Sequence, residues 1–149
     1  MRLILALVLA SLITPAALAE GAVADDDAPL IRPAGDSTLD DFQWRIRPVV
    51  VFADSPADPL FAEQMDILQD GLEMLAERDV VILTDTDPAA RSPIRLKLRP
   101  RGFMLVLVAK DGTVLLRKPL PWTVRELTRS IDKLPIRQRE VEERRKSSE

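Results

Sequence analysis

Two kinds of hydrophobic pattern alternate in the first half of the chain. Residues 48–53 and 80–83 are short, wholly apolar runs rich in β-branched side chains, which is typical of strands covered on both faces. Between these runs, apolar residues recur at steps of three and four and form one helical stripe: Phe61, Met65, Leu68, Leu72 and Leu75. We expect this helix to begin at Pro59 and to end near Arg78, with Gly71 in its interior. Strand, helix and strand joined by short loops predict a right-handed parallel βαβ unit.

The second half of the chain predicts a short helix, a β-hairpin and a last helix. Ser92 can cap the short helix, and an Asp-Gly turn within residues 103–117 joins two antiparallel strands. The capping box of residues 123–126 begins a helix whose apolar stripe stops at Pro135. The expected order is β-α-β-α-β-β-α, which is an α/β fold with a mixed sheet.

The beginning of the chain has the pattern of a secretory signal peptide. An almost unbroken apolar run over residues 3–13 follows Arg2, and Ala17-Leu18-Ala19 matches a small-x-small cleavage site. The run is shorter than the about 20 residues needed to span a bilayer. Residues 1–19 are therefore expected to be removed on export, leaving a mature chain without a transmembrane anchor.

Composition divides the remainder into three parts. Residues 20–38 are rich in Ala, Asp, Pro and Gly, lack any period and are interpreted as a flexible leader. Residues 39–135 carry the periodic segments and are expected to form the folded domain. Residues 136–149 alternate in charge and predict a charged helix or tail.

The absence of two residue types limits the chemistry of this chain. It contains no cysteine and no histidine, which excludes thiol redox activity and leaves few soft metal ligands, so no cofactor is expected. With 21 basic and 24 acidic residues, its formal net charge is −3. A mildly acidic chain gives no electrostatic reason to expect a nucleic acid partner.

One segment resembles a known protein pattern along its whole length. Residues 101–112, RGFMLVLVAKDG, are similar to the thioredoxin pattern RGIPTLLLFKNG. The resemblance implies a three-layer thioredoxin-like fold. Where thioredoxins carry a cis-proline that faces the active site, this chain has Met104, and where they carry Cys-x-x-Cys it has DSPADP, residues 54–59.

A closer resemblance covers roughly residues 39–143. It rests on four stretches of the sequence: residues 47–52, 77–81, 110–112 and 131–140. They resemble an uncharacterised thioredoxin-like family of exported bacterial domains, which recurs in animal extracellular proteins of the sushi-repeat and coiled-coil-domain type. The resemblance implies peroxiredoxin-like descent without catalytic cysteines and a periplasmic or secreted location. It supplies no catalytic residues.

Acidic residues follow both predicted parallel strands. Asp54 and Asp58 come after the first strand, and Asp85 and Asp87 come after the second. Since parallel strands end at one edge of a sheet, the four carboxylates are expected to gather there and could bind a hard cation. The alternative is that Asp58 caps a helix and the others lie in solvated turns.

Basic residues lie between the second and third predicted strands. Arg95, Arg99 and Arg101 are candidate ligands for an anion, because guanidinium groups suit carboxylates and phosphates. The same side chains could instead pair with the acidic edge or remain solvated.

The tail offers a third candidate. Arg137 and Glu140 belong to the last of the four matching stretches and either fasten the tail to the domain or dock a partner. Trp44 and Trp122 are expected to pack in the core or over it.

These observations favour an exported, non-redox binding or structural module whose partner is another envelope protein. One alternative is a cation-binding protein, or a hydrolase dependent on a divalent cation, that uses the acidic edge. Another is a degenerate oxidoreductase-like stress protein.

Overall fold

A five-stranded mixed sheet runs through the protein. A computed structural model describes residues 28–149, so the predicted signal peptide and the first part of the predicted leader lie outside the described residues. The strands are β1 (Ile31–Pro33), β2 (Arg47–Phe52), β3 (Val80–Asp85), β4 (Met104–Val108) and β5 (Val114–Lys118). Their order in the sheet is β1-β3-β2-β4-β5, with β1 and β2 parallel to β3, β4 antiparallel to β2, and β5 antiparallel to β4.

Helices cover both faces of this sheet. The helices are α1 (Pro59–Gln69), α2 (Leu72–Ala76), α3 (Pro93–Leu98), α4 (Val124–Asp132) and α5 (Pro135–Ser147). Side chains of α1, α2 and α4 pack with Val49 and Val51 on one face, and α3 packs with Val50 and Phe52 on the other. All six residues of β2 are buried, as expected for a central strand between two layers. The predicted α/β class with a mixed sheet is confirmed.

The predicted single helix after the first core strand is wrong. It is divided into α1 and α2, and Gly71 stands between them as the N-terminal cap of α2. A Cβ atom at Gly71 would lie 2.6 Å from the Cγ2 atom of Val124 on α4. The close approach of α4 therefore requires a glycine here, and this contact between distant segments was not visible in the helical period.

The predicted flexible leader extends too far into the chain. Residues 31–33 form β1, which pairs with β3, and Ala34 is 1% exposed with its N–H donating to the Thr84 carbonyl at 2.9 Å. The strand is only three residues long and contains Pro33, so its sequence gives no clear strand signal. Pro33 is tolerated because β1 lies at the edge of the sheet.

The chain turns into a further helix after α4. Pro135, expected to stop the last helix of the domain, occupies the first turn of α5, where its missing N–H group is not needed. Residues 136–149 thus lie almost entirely in a regular helix. No helix within residues 28–149 is long and apolar enough to cross a membrane.

The two tryptophans have different environments. Trp122 is partly buried and packs against the core that contains α1 and α4. Trp44 is 66% exposed, so the expectation that it packs in the core or over it is wrong. Its backbone has a positive φ of 64°, and its N–H donates to the Lys110 carbonyl.

Candidate functional site

The loop between β2 and α1 occupies the place that carries Cys-x-x-Cys in thioredoxins. Asp58 caps α1, its Oδ1 atom accepting a hydrogen bond from the Leu60 N–H at 2.8 Å. Ser55 accepts from the Ala57 N–H at 3.1 Å, and Asp54 is exposed. The loop therefore keeps a helix N-terminus but presents a capping carboxylate in place of a thiolate.

A buried arginine lies beside this loop. The Arg95 guanidinium donates from Nε and Nη2 to Oδ1 of Asp85, at 3.1 and 2.9 Å. Nη2 also donates to the Ala53 carbonyl at 2.9 Å, and the guanidinium carbon lies 5.3 Å from the centre of the Phe52 ring. Ser92 donates to the other carboxylate oxygen of Asp85. These contacts join β2, β3 and α3 at the carboxyl end of the sheet.

The charge state of Asp85 follows from these contacts. Burial acts to raise the pKa of the Asp85 carboxyl, but the hydrogen bonds from Arg95 and Ser92 outweigh it and hold the pKa below its ordinary value. Asp85 therefore remains ionised at neutral pH and neutralises the buried guanidinium.

An open cleft adjoins this pair on the side of β1. It has a volume of about 330 Å³, and its polar lining includes Asp36, Thr84, Thr86 and Asp87. Asp87 uses Oδ1 to accept from the Ala89 N–H at 3.1 Å, which begins a short 3₁₀ turn. One side of the cleft is thus formed by a loop that the side chain of Asp87 stabilises.

The structure places the four predicted cation ligands at this edge but gives them separate roles. Asp58 caps α1, Asp85 binds Arg95, Asp87 caps its own turn, and Asp54 is exposed. Within residues 28–149, no group of three or more acidic side chains is arranged to hold a metal ion.

The three predicted anion ligands are also separated. Arg95 is buried against Asp85, because the carboxylate that neutralises it lies on the adjacent strand. Arg99 and Arg101 are exposed. Arg95 therefore pairs with the acidic edge, as the alternative interpretation of the sequence expected.

A second and larger charged cluster lies at the amino end of β2. Arg47 is fully buried, and its guanidinium donates to the Arg78 carbonyl at 2.8 Å and to Oε1 of Glu140 at 3.0 Å. Lys110 places its Nζ atom 2.8 Å from the same Glu140 oxygen and 2.9 Å from Oδ2 of Asp79. A single carboxylate on α5 thus contacts two cations, Arg47 on β2 and Lys110 in the turn after β4.

Glu140 is held in its ionised form. Burial acts to raise its pKa, but hydrogen bonds from Lys110 and Arg47 together with their charges lower the pKa below the ordinary value. The Arg137 guanidinium adds a further contact, with Nη1 at 3.5 Å from Oε2 of Glu140.

Two ion pairs border this cluster. Arg78 donates from Nε and Nη2 to both oxygens of Asp132, at 2.8 and 2.9 Å, and this bidentate pair is the main cause of the lowered pKa of Asp132. Arg144 donates to both oxygens of Asp79, at 3.0 and 2.9 Å. Charges from β2, from the α2–β3 connection, from the end of β4 and from α4 therefore converge on α5.

The sequence matches a described family over most of this fold. Residues 38–140 match the family "Domain of unknown function (DUF4174)". The chain belongs to the DUF4174 family. No curated protein matches it.

Three solved structures similar to this DUF4174 domain come from Plasmodium species. A structure of Plasmodium yoelii Prx1a aligns with a TM-score of 0.50 at 18% identity, covering 68% of this chain and 80% of that chain. Plasmodium vivax 2-Cys peroxiredoxin in its reduced form aligns with a TM-score of 0.50 at 15% identity, covering 63% and 80%. A third structure, Plasmodium yoelii thioredoxin peroxidase I, has a TM-score of 0.48 at 18% identity, covering 68% and 79%. The first two likenesses show the fold alone, and the predicted thioredoxin-like class is confirmed.

The cluster around Glu140 gathers the segments on which the sequence resemblance rests. Arg47, Lys110 and Glu140 come from three of those stretches, and Arg78 with Asp79 comes from the fourth. Sequence reasoning singled out Arg137 and Glu140 but missed their partners. The available signal was a charged residue beside an apolar run at Arg47, Asp79 and Lys110.

The cluster leaves two polar atoms without partners. The Nε–H groups of Arg47 and Arg137 are buried, and neither donates a hydrogen bond to any of residues 28–149. Leaving a buried donor unpaired is costly, so the arrangement is not the most stable solution for this edge. The contacts of Glu140 with Arg47 and Lys110 attach α5 to the rest of the domain.

Proposed function

We propose that this DUF4174 protein is exported and acts as a non-redox binding or structural module of the cell envelope, with another envelope protein as its partner. The observation that carries the proposal is the loop of residues 53–58, where a peroxiredoxin-like fold presents a helix cap and no thiol. The apolar run and cleavage pattern of residues 1–19 support export.

The arrangement beneath the loop supports a role other than redox chemistry. A catalytic thiolate requires a sulfur whose pKa is lowered by its surroundings, such as a helix N-terminus or a neighbouring positive charge. Here Asp58 fills the helix terminus and Arg95 is neutralised by Asp85. The charges at this edge stabilise the fold and leave no reactive group activated.

The attachment of α5 supports a binding or structural role. Glu140 joins the helix to β2 and to the end of β4, while Arg139, Glu142 and Glu143 lie exposed on the same helix. A charged helix held rigidly against a sheet presents a defined surface without ordering cost on binding. We propose that this exposed side of α5 meets the partner.

The first experiment tests export and redox activity together. The full chain, tagged at its C-terminus, is produced in a Gram-negative host, fractionated and analysed by mass spectrometry. We expect periplasmic protein that begins at Glu20 and that neither reduces insulin nor consumes peroxide with dithiothreitol. Cytoplasmic, unprocessed protein would contradict export, and turnover above that of a heat-denatured sample would contradict the non-redox role.

The second experiment tests the partner surface. In-cell crosslinking of the wild type is compared with Arg139→Ala combined with Glu143→Ala, and with a control of equal charge change, Arg129→Ala combined with Glu63→Ala, on α4 and α1. We expect the first variant alone to lose the crosslinked species while its melting temperature stays unchanged. Equal loss in both variants, or in neither, would contradict a partner surface on α5.

A further inference from the structure

Two segments of the chain each carry charges of one sign only. Residues 54–77, which include α1 and α2, contain seven acidic residues and no basic residue. Residues 88–110, which include α3, contain six basic residues and no acidic residue. Because α1 and α2 cover one face and α3 the other, the acidic and basic segments lie on opposite faces of the sheet.

One basic residue of β5 lies beside the end of α3. Arg117 lies opposite Val106 in the antiparallel pair of β4 and β5, and Val106 belongs to the core under α3. Paired residues point to the same face, so Arg117 points toward α3, and its Nη1 atom donates to the Leu98 carbonyl at 2.6 Å. We define the basic face as Arg91, Lys97, Arg99, Arg101 and Arg117.

The basic face is open to solvent. All five residues are exposed, and within residues 28–149 none of them forms an ion pair with a carboxylate. Beside Lys97 on α3, Leu96 is 50% exposed. The surface therefore combines unpaired positive charge with an apolar side chain that the core does not use.

We propose that the basic face docks on a bilayer surface that contains anionic lipids. Basic side chains near such a surface are attracted to its phosphates, and an exposed leucine among them can enter the boundary between headgroups and acyl chains. Residues 54–77, on the opposite face, carry no positive charge that this surface would attract, so α3 rather than α1 or α2 faces the bilayer.

The same observations favour a bilayer over a nucleic acid or a soluble polyanion. The apolar side chain at the basic face is a leucine, and no aromatic side chain is available in residues 88–101 to stack on bases. A soluble polyanion would gain nothing from Leu96. The proposal rests on these charges and does not depend on the proposed partner of α5.

The test uses the chain from residue 20 onward, which includes every residue described here, and vesicles of phosphatidylcholine with or without one-third phosphatidylglycerol. We expect co-sedimentation only with the anionic vesicles, weakening as salt shortens the screening length. Lys97→Gln with Arg101→Gln should weaken binding about 25-fold, since each basic residue near an anionic surface contributes about fivefold. Arg129→Gln on α4 with Lys133→Gln directly after it is the matched control and should change binding less than about twofold.

Two single substitutions complete the test. Arg99→Asn, which suits the positive φ of 50° at this position, should weaken vesicle binding about fivefold. Leu96→Ser should weaken it without altering retention on heparin. Equal binding to neutral and anionic vesicles, equal loss in the α4 control, or binding to heparin or DNA without binding to vesicles would each overturn the proposal.

Discussion

Two buried arginines lie at opposite ends of strand β2, and each is neutralised in a different way. Arg95 contacts the carboxyl end of the strand and pairs with Asp85, ten positions earlier in the chain. Arg47 begins the strand and pairs with Glu140, 93 positions later. The ion pair of the first network is local, and this network leaves no buried donor without a hydrogen bond among residues 28–149, whereas in the second the Nε atoms of Arg47 and Arg137 donate no hydrogen bond.

The two arginine–carboxylate pairs therefore have different roles in the structure. The Arg95 network holds one loop against the sheet. Its ion pair joins Asp85 at the end of β3 to Arg95, only ten positions later. The Glu140 network requires α5 to return across the whole domain, so it closes a long loop at a larger entropic cost. We infer that the Arg95 network belongs to the fold of the sheet, whereas the Glu140 network tethers an additional helix to it.

Glu140→Gln should have the largest effect on stability. It removes the charge that neutralises Arg47 and Lys110, and the amide group that replaces the carboxylate offers Arg47 at most one uncharged acceptor beside the Arg78 carbonyl. Breaking a buried ion pair from one side costs about 3 kcal/mol. Urea denaturation should show this loss, and Glu142→Gln, which affects only the exposed pair with Lys146, should cost less than about 0.5 kcal/mol. Similar losses in both variants would mean that the buried position of Glu140 has no special effect.

Asp85→Asn should cost less, about 2 kcal/mol, because Arg95 keeps the carbonyls of residues 53 and 85 as acceptors. Hydrogen exchange provides the comparison. The substitution should accelerate exchange in residues 86–99, whereas Glu140→Gln should accelerate it in α5. Faster exchange of α5 in the Asp85 variant would contradict the division into a local brace and a tether.

The stability of both networks should decline in acid. The pKa values of Asp85, Asp132 and Glu140 are lowered in the folded protein, so their contribution is complete above the unfolded carboxylate pKa of about 4 and is lost as the pH falls through the lower folded values. Denaturation of wild type and Glu140→Gln should therefore differ at pH 7 and converge toward pH 2. A difference that persists unchanged in acid would show that Glu140 acts by packing and not by charge.

Arg144→Ala should have the smallest effect, about 0.5 kcal/mol, because more than half of its side chain is exposed where it binds Asp79. Raised salt should reduce the difference further. A loss of stability as large as that of Glu140→Gln would mean that α5 is attached mainly through Arg144 near its C-terminal end.

Features determined by neighbouring residues could be predicted from the sequence. The Asp58 cap, the capping box at Thr123 and Glu126, and the turn before Thr113 depend on hydrogen bonds that span two or three positions. The apolar runs, the helical stripe and the Asp-Gly turn also lie within short stretches of sequence, and they predicted the βαβ unit and the hairpin.

Features determined by contacts between distant segments could not be predicted. Strand β1 exists because β3 offers a free edge, and the break at Gly71 exists because α4 approaches it. The acidic and basic candidate sites were assigned separately, although Asp85 and Arg95 neutralise each other. Arg47 lies at the start of an apolar run, and nothing local shows that its carboxylate partner comes from the last helix.

A double-mutant cycle between Arg47 and Glu140 tests the tether most directly. Arg47→Met, Glu140→Leu and the combined variant are denatured in urea beside the wild type, and the coupling free energy is taken from the four values. If these residues fasten α5 to the sheet by charge, the coupling is about 2 kcal/mol, with the double variant losing less than the sum of the single losses. Additive losses, with a coupling below about 0.5 kcal/mol, would contradict the tether.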